Sequence, residues 1–313
     1  MKPEILLLEA MMPELEAKLD AACTVHRPDA AQDRAAFIAA VAPGVRGIVT
    51  GGGIGVSNAI AEALPKLEII AINGVGTDAV DLARAKAHGV RVTNTPDVLT
   101  DDVADLGMAL MLAASRQIPA GDRFVRDGKW AAHESLPLAH KVTGKKLGIL
   151  GMGRIGRAIG RRAEGFGMQI AYTDIRAFDD LPYRHVPDLV DLARDSDILI
   201  VAASGGSQSR GIVNQEVLEA LGQHGILVNV ARGSVVDEPA MVAALQAGTL
   251  GGAGLDVFAD EPNVPDELLT MQHVVLQPHR ASATVETRIA MGELVLANLA
   301  AHFAGEALPT PVV

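Results

Sequence analysis

Arg232, Glu261 and His279 each stand just beyond a short apolar run, after "GILVNVA", "GAGLDVFAD" and "VVLQP". Together these residue types can reduce the carbonyl of a 2-keto acid. That reaction requires a cation for the carboxylate and the carbonyl oxygen, a hydride donor, and an acid that protonates the new alkoxide. A guanidinium offers a planar, bidentate fork for the first task. An imidazole is the natural proton donor near neutral pH. A neighbouring carboxylate orients the ring and favours its charged form. Taken singly, each residue has a plainer reading: a surface cation, a solvated loop carboxylate before a proline, a structural histidine. Placed together past the ends of successive strand-like runs, where such folds bind their ligands, they form an acid–base set.

The hydride donor has its own signature. The stretch "KKLGILGMGRIGRAIGRRAEGFGMQIAYTD", Lys145 to Asp174, carries G-x-G-x-x-G between a strand-like run and a helical one. Gly151 permits the tight turn, Gly153 lets the backbone approach a pyrophosphate, and Gly156 allows close helix–strand packing. The N–H groups near Arg154 and Ile155, at the positive end of that helix, suit the phosphates. With 32 glycines in 313 residues the motif alone is weak; its strand–turn–helix setting and the acidic residue closing the next run favour a dinucleotide over a glycine-rich turn. That residue, Asp174, accepts hydrogen bonds from ribose hydroxyls and repels a 2′-phosphate, which points to NAD. Arg176 attracts such a phosphate and leaves NADP open. Asp256, at the end of its own run, either meets the nicotinamide carboxamide or serves the fold. "GGGIG" at Gly51–Gly55 lacks a later acidic partner and reads as a substrate-side loop.

These residues need a scaffold that brings them to one edge. Short apolar runs (Ile5–Leu8, Gly47–Thr50, Leu67–Ile72, Val90–Thr93, Leu147–Leu150, Met168–Thr173, Ile198–Ala202, Ile226–Val230, Gly252–Val257, Val274–Leu276) alternate with Ala-rich helical stretches. That alternation predicts an α/β protein with parallel sheets covered by helices on both faces. At 313 residues two domains are expected. Both should be doubly wound: a Rossmann-type dinucleotide-binding domain over 97–284, inserted in a flavodoxin-like substrate-binding domain of 1–96 plus 285–313. The long apolar stretch "DVADLGMALMLAAS" and a last helix over about 284–303 would cross between them. "GEALPTPVV" would pack back on the first module.

Composition narrows the class. The chain is 49% hydrophobic and 21% charged, with only 3% aromatic residues, so Ala, Val, Leu and Ile must build the core. A net charge of −11 argues against nucleic acid or an anionic membrane as partner. The single cysteine, Cys23, permits no internal disulfide and suggests a reducing compartment. No run approaches the roughly 18 apolar residues of a membrane span, and Ile5–Leu8 is too short for a signal peptide. No metal-ligand spacing is present. A cytoplasmic protein without a structural metal is expected.

Over nearly its full length the chain resembles the D-isomer-specific 2-hydroxyacid dehydrogenases. The resemblance is carried by "NGVGTDAVD", "VTNTPDVLTDDVADLGMALML", "GMGRIG", "NVARGSVVDEPAMVAAL", "GGAGLDVFADEP", "VVLQPHRASAT" and "PTPVV". Within the family it is most similar to the glyoxylate/hydroxypyruvate reductases and the related hydroxyphenylpyruvate reductases. The resemblance implies catalytic roles for Arg232, Glu261 and His279, and carboxylate binding by backbone amides around Val75 and Gly76. It implies a homodimer, with Trp130 packed at the interface and His133 on an arm that reaches the partner's substrate pocket. Departures are visible. Asp174 stands where many of these reductases have a small residue followed by Arg or Lys, and those prefer NADPH. "AASGGSQSRG", Ala202 to Gly211, replaces a Pro- and Thr-containing loop, with Ser204 and Gly205 still expected at the cofactor. "HRAS" replaces "HIGS" or "HVGS" and keeps His279. Alternatives on the same scaffold are a phosphoglycerate dehydrogenase, which often has a long C-terminal extension, and a formate dehydrogenase, which usually has Gln where Glu261 stands. A non-enzymatic NAD-sensing protein of the corepressor type can retain the same three residues.

Overall fold

The buried strands are continuous apolar runs, as sheets covered on both faces require. In β1 (Glu4–Leu7), Ile5 and Leu7 join one core cluster and Leu6 joins another. This is the period of two that sends successive side chains to opposite faces. With β2 (Thr24–His26), β3 (Val45–Gly51), β4 (Ile69–Asn73) and β5 (Arg91–Thr93) it forms a five-stranded parallel sheet in the order β2-β1-β3-β4-β5. That order is flavodoxin-like.

The computed structural model describes residues 2–313 and divides into two compact units, one running up to Leu99 and including Ser282–Val313, the other Thr100–Ala281. In the first, helices Pro13–Ala22 and Val285–Ala304 cover one sheet face, with Leu15, Leu19, Val295 and Leu299 in the core. The segment after Val285–Ala304 lies antiparallel to β5, with Thr93 opposite Pro311 and Val312 N–H donating to Val92 O at 2.7 Å. β5 would otherwise be an open edge strand.

The second unit holds β6 (Lys146–Leu150), β7 (Gln169–Thr173), β8 (Arg184–His185), β9 (Ile198–Val201), β10 (Ile226–Asn229), β11 (Gly252–Leu255) and β12 (Val274–Leu276). These seven parallel strands take the order β12-β11-β10-β9-β6-β7-β8, the Rossmann arrangement with one further strand. Register brings their ends level. Thr173 pairs with Leu150, Leu150 with Val201, Val201 with Asn229, Asn229 with Leu255, and Leu255 with Leu276. Every loop leaving this row emerges at one edge.

The sequence reading missed two strands, β2 and β8. Neither is an apolar run: β2 is Thr-Val-His and β8 is Arg-His, and both are sheet-edge strands without a fully buried residue. Their pairing comes from the neighbouring strand. Among the described residues no helix is long and apolar enough to cross a membrane.

Candidate active site

β10 ends in Asn229, 1% exposed, whose side chain closes the next turn. Its Oδ1 accepts from Ala231 N–H and its Nδ2 donates to Arg232 O, both at 3.0 Å. The turn holds Arg232 half-buried, with Nη1 donating to Ala231 O at 2.7 Å. Sequence reasoning passed over Asn229; a polar residue closing a buried strand was the available signal.

Asp256 follows the last residue of β11 and is 1% exposed. Its backbone carbonyl accepts from His279 N–H at 2.8 Å. Its carboxylate oxygens accept from Arg280 N–H at 2.8 Å and Ala281 N–H at 3.0 Å. Three successive amides are thus tied to one residue. Burial pushes the Asp256 carboxyl above its ordinary range, against the pull of those N–H groups and of the His279 charge. The ties hold His279 at a φ of 46°, a left-handed conformation uncommon for residues other than glycine.

His279 Nδ1 lies 2.6 Å from Glu261 Oε2, and the other oxygen of Glu261 accepts from Phe258 N–H at 3.0 Å. Burial pushes the Glu261 carboxyl up. The bonds from His279 and Phe258 and the charges of His279 and Arg232 outweigh it and hold the group below the usual carboxylate range. An ionised carboxylate can only accept, so Nδ1 carries a proton and Nε2 is the imidazole's other position.

The glycine-rich turn is built for close backbone approach. Gly151 has a φ of 92°, and a Cβ there would lie 2.6 Å from the Ala203 backbone. A Cβ on Gly156 would meet Gly151 O at 2.0 Å. Gly153 begins the helix Arg154–Glu164 without a side-chain cap, and nothing lies within 4 Å of where its Cβ would be. An uncapped helix N-terminus with open space before it fits a dinucleotide pyrophosphate. Asp174 Oδ2 accepts from Met152 N–H at 2.6 Å and Oδ1 from Ile175 N–H at 2.7 Å, so the carboxylate is fixed at the end of β7 beside this turn.

The other expected residues have surroundings of their own. The Arg176 guanidinium lies 5.0 Å from the centre of the Phe178 ring, and that of Arg157 lies 4.7 Å from it. Ser204 is exposed after β9, its carbonyl accepting from Ser209 Oγ at 2.7 Å. Val75 and Gly76 belong to the first unit, in the loop after β4, where Val75 O accepts from Asn94 Nδ2 at 2.9 Å. Trp130 is 70% exposed, and His133 adopts a φ of 61° in a stretch, 125–141, without a buried residue.

Residues 108–281 match the model of the family "D-isomer specific 2-hydroxyacid dehydrogenase, NAD binding domain". The chain is 46% identical over 312 residues to a 2-ketogluconate reductase of Gluconobacter oxydans, covering 100% of this chain and 99% of that protein. A solved 2-hydroxyacid dehydrogenase from Ketogulonicigenium vulgare superposes with a TM-score of 0.92 at 51% identity, covering 100% of this chain and 98% of the other. An NADPH-dependent glyoxylate/hydroxypyruvate reductase from Sinorhizobium meliloti, solved with NADP and malonate, gives 0.92 at 43% identity, with 100% and 97% covered.

Proposed function

The chain belongs to the D-isomer specific 2-hydroxyacid dehydrogenases, and from that premise we propose that it reduces a small 2-keto acid, glyoxylate, hydroxypyruvate or a close analogue, to the D-2-hydroxy acid. It is an NAD(P)-dependent oxidoreductase. The observation that carries the assignment of roles is the 2.6 Å contact of His279 Nδ1 with an ionised Glu261.

The reduced dinucleotide, when bound, supplies the hydride. Gly151, Gly153 and Gly156 shape the turn that takes its pyrophosphate, Arg154 and Ile155 offer helix N-terminal N–H groups, and Asp174 takes the ribose hydroxyls. The backbone amides around Val75 and Gly76 receive the substrate carboxylate, and Arg232 grips the carboxylate and carbonyl oxygen through its planar fork. Glu261 holds the Nδ1–H of His279, which leaves Nε2 to deliver the proton to the developing alkoxide. Asp256 keeps the His279 backbone in place for that transfer. The bland alternative, a binding protein that keeps the same residues, makes the same folded structure without turnover.

The partner proposed besides substrate is a second copy of the chain. Ile118, Val125, Trp130, Leu136 and Leu138 are large apolar side chains between 40% and 94% exposed, a concentration that supports this reading. The compartment proposed is the cytoplasm, in keeping with a lone, buried Cys23.

The test is a keto-acid panel, including glyoxylate, hydroxypyruvate and 2-ketogluconate, run with NADH and with NADPH, and chiral analysis of the product. Cofactor-dependent turnover to a D-2-hydroxy acid is expected. Cofactor binding without turnover on any member would favour the binding-protein reading.

A further inference from the structure

Asn298 is a polar residue in the middle of an apolar helix, completely buried in the core of the first unit. A buried amide is costly unless its donors and acceptor are met. Here they are. Nδ2 donates to Leu294 O and to Thr310 Oγ1, each at 2.8 Å, and Oδ1 accepts from Thr310 N–H at 3.1 Å. Thr310 Oγ1 in turn donates to Asn94 O at 2.6 Å. Its hydroxyl therefore accepts from one neighbour and donates to the other, which neither a methyl nor a carboxylate can do.

Asn94 then reaches the substrate-side loop. Its side-chain amide donates to Val75 O at 2.9 Å, and the next residue, Thr95, donates its N–H to Gly74 O at 2.9 Å. The Val75 carbonyl and the Gly76 N–H belong to one planar trans peptide, in which the two groups point in opposite directions. Whatever holds the carbonyl also aims the N–H. Pairing of the segment after Val285–Ala304 with β5, through Val312 and Pro311, delivers Thr310 to this position.

Resting on the reading that the Val75–Gly76 loop receives the substrate carboxylate, we propose that Asn298, Thr310 and Asn94 are positioning residues for that loop: a hydrogen-bonded relay running from the buried Asn298 of the helix Val285–Ala304 to the Gly76 N–H. None of the three touches substrate. Their effect passes through the orientation of one peptide group, so it appears in substrate binding more than in the chemical step.

Thr310→Val, Thr310→Ser and Asn94→Ala test the relay in the full-length enzyme, with Tm and cofactor Kd measured alongside kinetics. Thr310→Val should raise KM for the keto acid about 3- to 10-fold, the worth of one neutral hydrogen bond, with kcat and cofactor Kd unchanged. Thr310→Ser keeps the hydroxyl and should restore KM. Asn94→Ala should match Thr310→Val, and the double variant should be no worse than either single one, because residues in one network are not additive. Hydrogen exchange of the 74–78 segment should speed up in Thr310→Val and not in Thr310→Ser. An unchanged KM and exchange rate, or a parallel loss of Tm, kcat and cofactor affinity, would overturn the relay. Gly76→Pro, which deletes the aimed N–H, separates the two levels. If it leaves KM unaltered, the carboxylate-binding role of the loop fails and the relay with it. If it raises KM while Thr310→Val does not, the relay alone fails.

Discussion

The imidazole of His279 and the carboxylate of Glu261 meet at 2.6 Å across 18 residues of chain. One loop leaves β11 and the other leaves β12, and the register of Leu255 with Leu276 brings them to the same edge. With Glu261 ionised, the contact calls for a proton on Nδ1.

Replacing the proton donor should be severe and selective. His279→Ala is expected to lower kcat for keto-acid reduction by about 10²–10⁴-fold, the usual worth of general acid catalysis. Cofactor affinity, followed by fluorescence titration, should stay close to wild type. Retention of more than roughly a third of kcat, against that expectation, would remove His279 from the role.

Glu261→Gln should change the pH profile. Glu261 is ionised throughout the neutral range because its carboxyl is held low. Removing that charge from the 2.6 Å contact should move the alkaline limb of kcat/KM for reduction to lower pH. Stability runs the other way along the pH axis. A carboxyl lowered by folding contributes stability above its unfolded value, about 4.3, and loses it as pH falls through the folded value. The Tm difference between wild type and Glu261→Gln should therefore shrink on acidification below about pH 4. Superimposable pH profiles would show that the pair is not coupled in catalysis.

Arg232→Lys keeps the charge and loses the fork. A compact ammonium makes a point contact where a planar guanidinium makes two bonds. We expect kcat/KM for keto acids to fall by roughly 10- to 150-fold, equivalent to about 1.5–3 kcal/mol of charge-assisted hydrogen bonding, with cofactor Kd preserved. Near-normal efficiency would mean that another group holds the substrate's carboxylate and carbonyl.

Cofactor choice is expected to turn on two residues of opposite sign. Asp174 is fixed beside the glycine-rich turn by Met152 N–H, and Arg176 lies over Phe178 a short step away in sequence. The wild type should favour NADH by roughly 10- to 150-fold in kcat/KM, the worth of a charged hydrogen bond. Asp174→Ser should shift it toward NADPH and Arg176→Ala away from it. A wild type that strongly prefers NADPH and is unaltered by Asp174→Ser would show that the carboxylate does not read the ribose.

The doubly wound architecture was legible because its determinants are local. A buried parallel strand is a continuous apolar run, and the turn at Gly151 needs a residue that tolerates a φ of 92°. The residue types at positions 232, 261 and 279 were legible for a similar reason, since each chemical task admits few side chains. β2 and β8 were not, because Thr-Val-His and Arg-His carry no signal of their own and become strands only against a formed neighbour. Nor was the anchoring of the His279 loop by Asp256, which depends on its oxygens reaching the N–H groups of Arg280 and Ala281. Thr310 and Asn94 are the extreme case: they are 216 residues apart and joined at 2.6 Å. Sequence alone determined which groups are available and which apolar runs form strands. Tertiary structure decided which of those groups meet, because a hydrogen bond depends on ångströms and angles set by packing far along the chain.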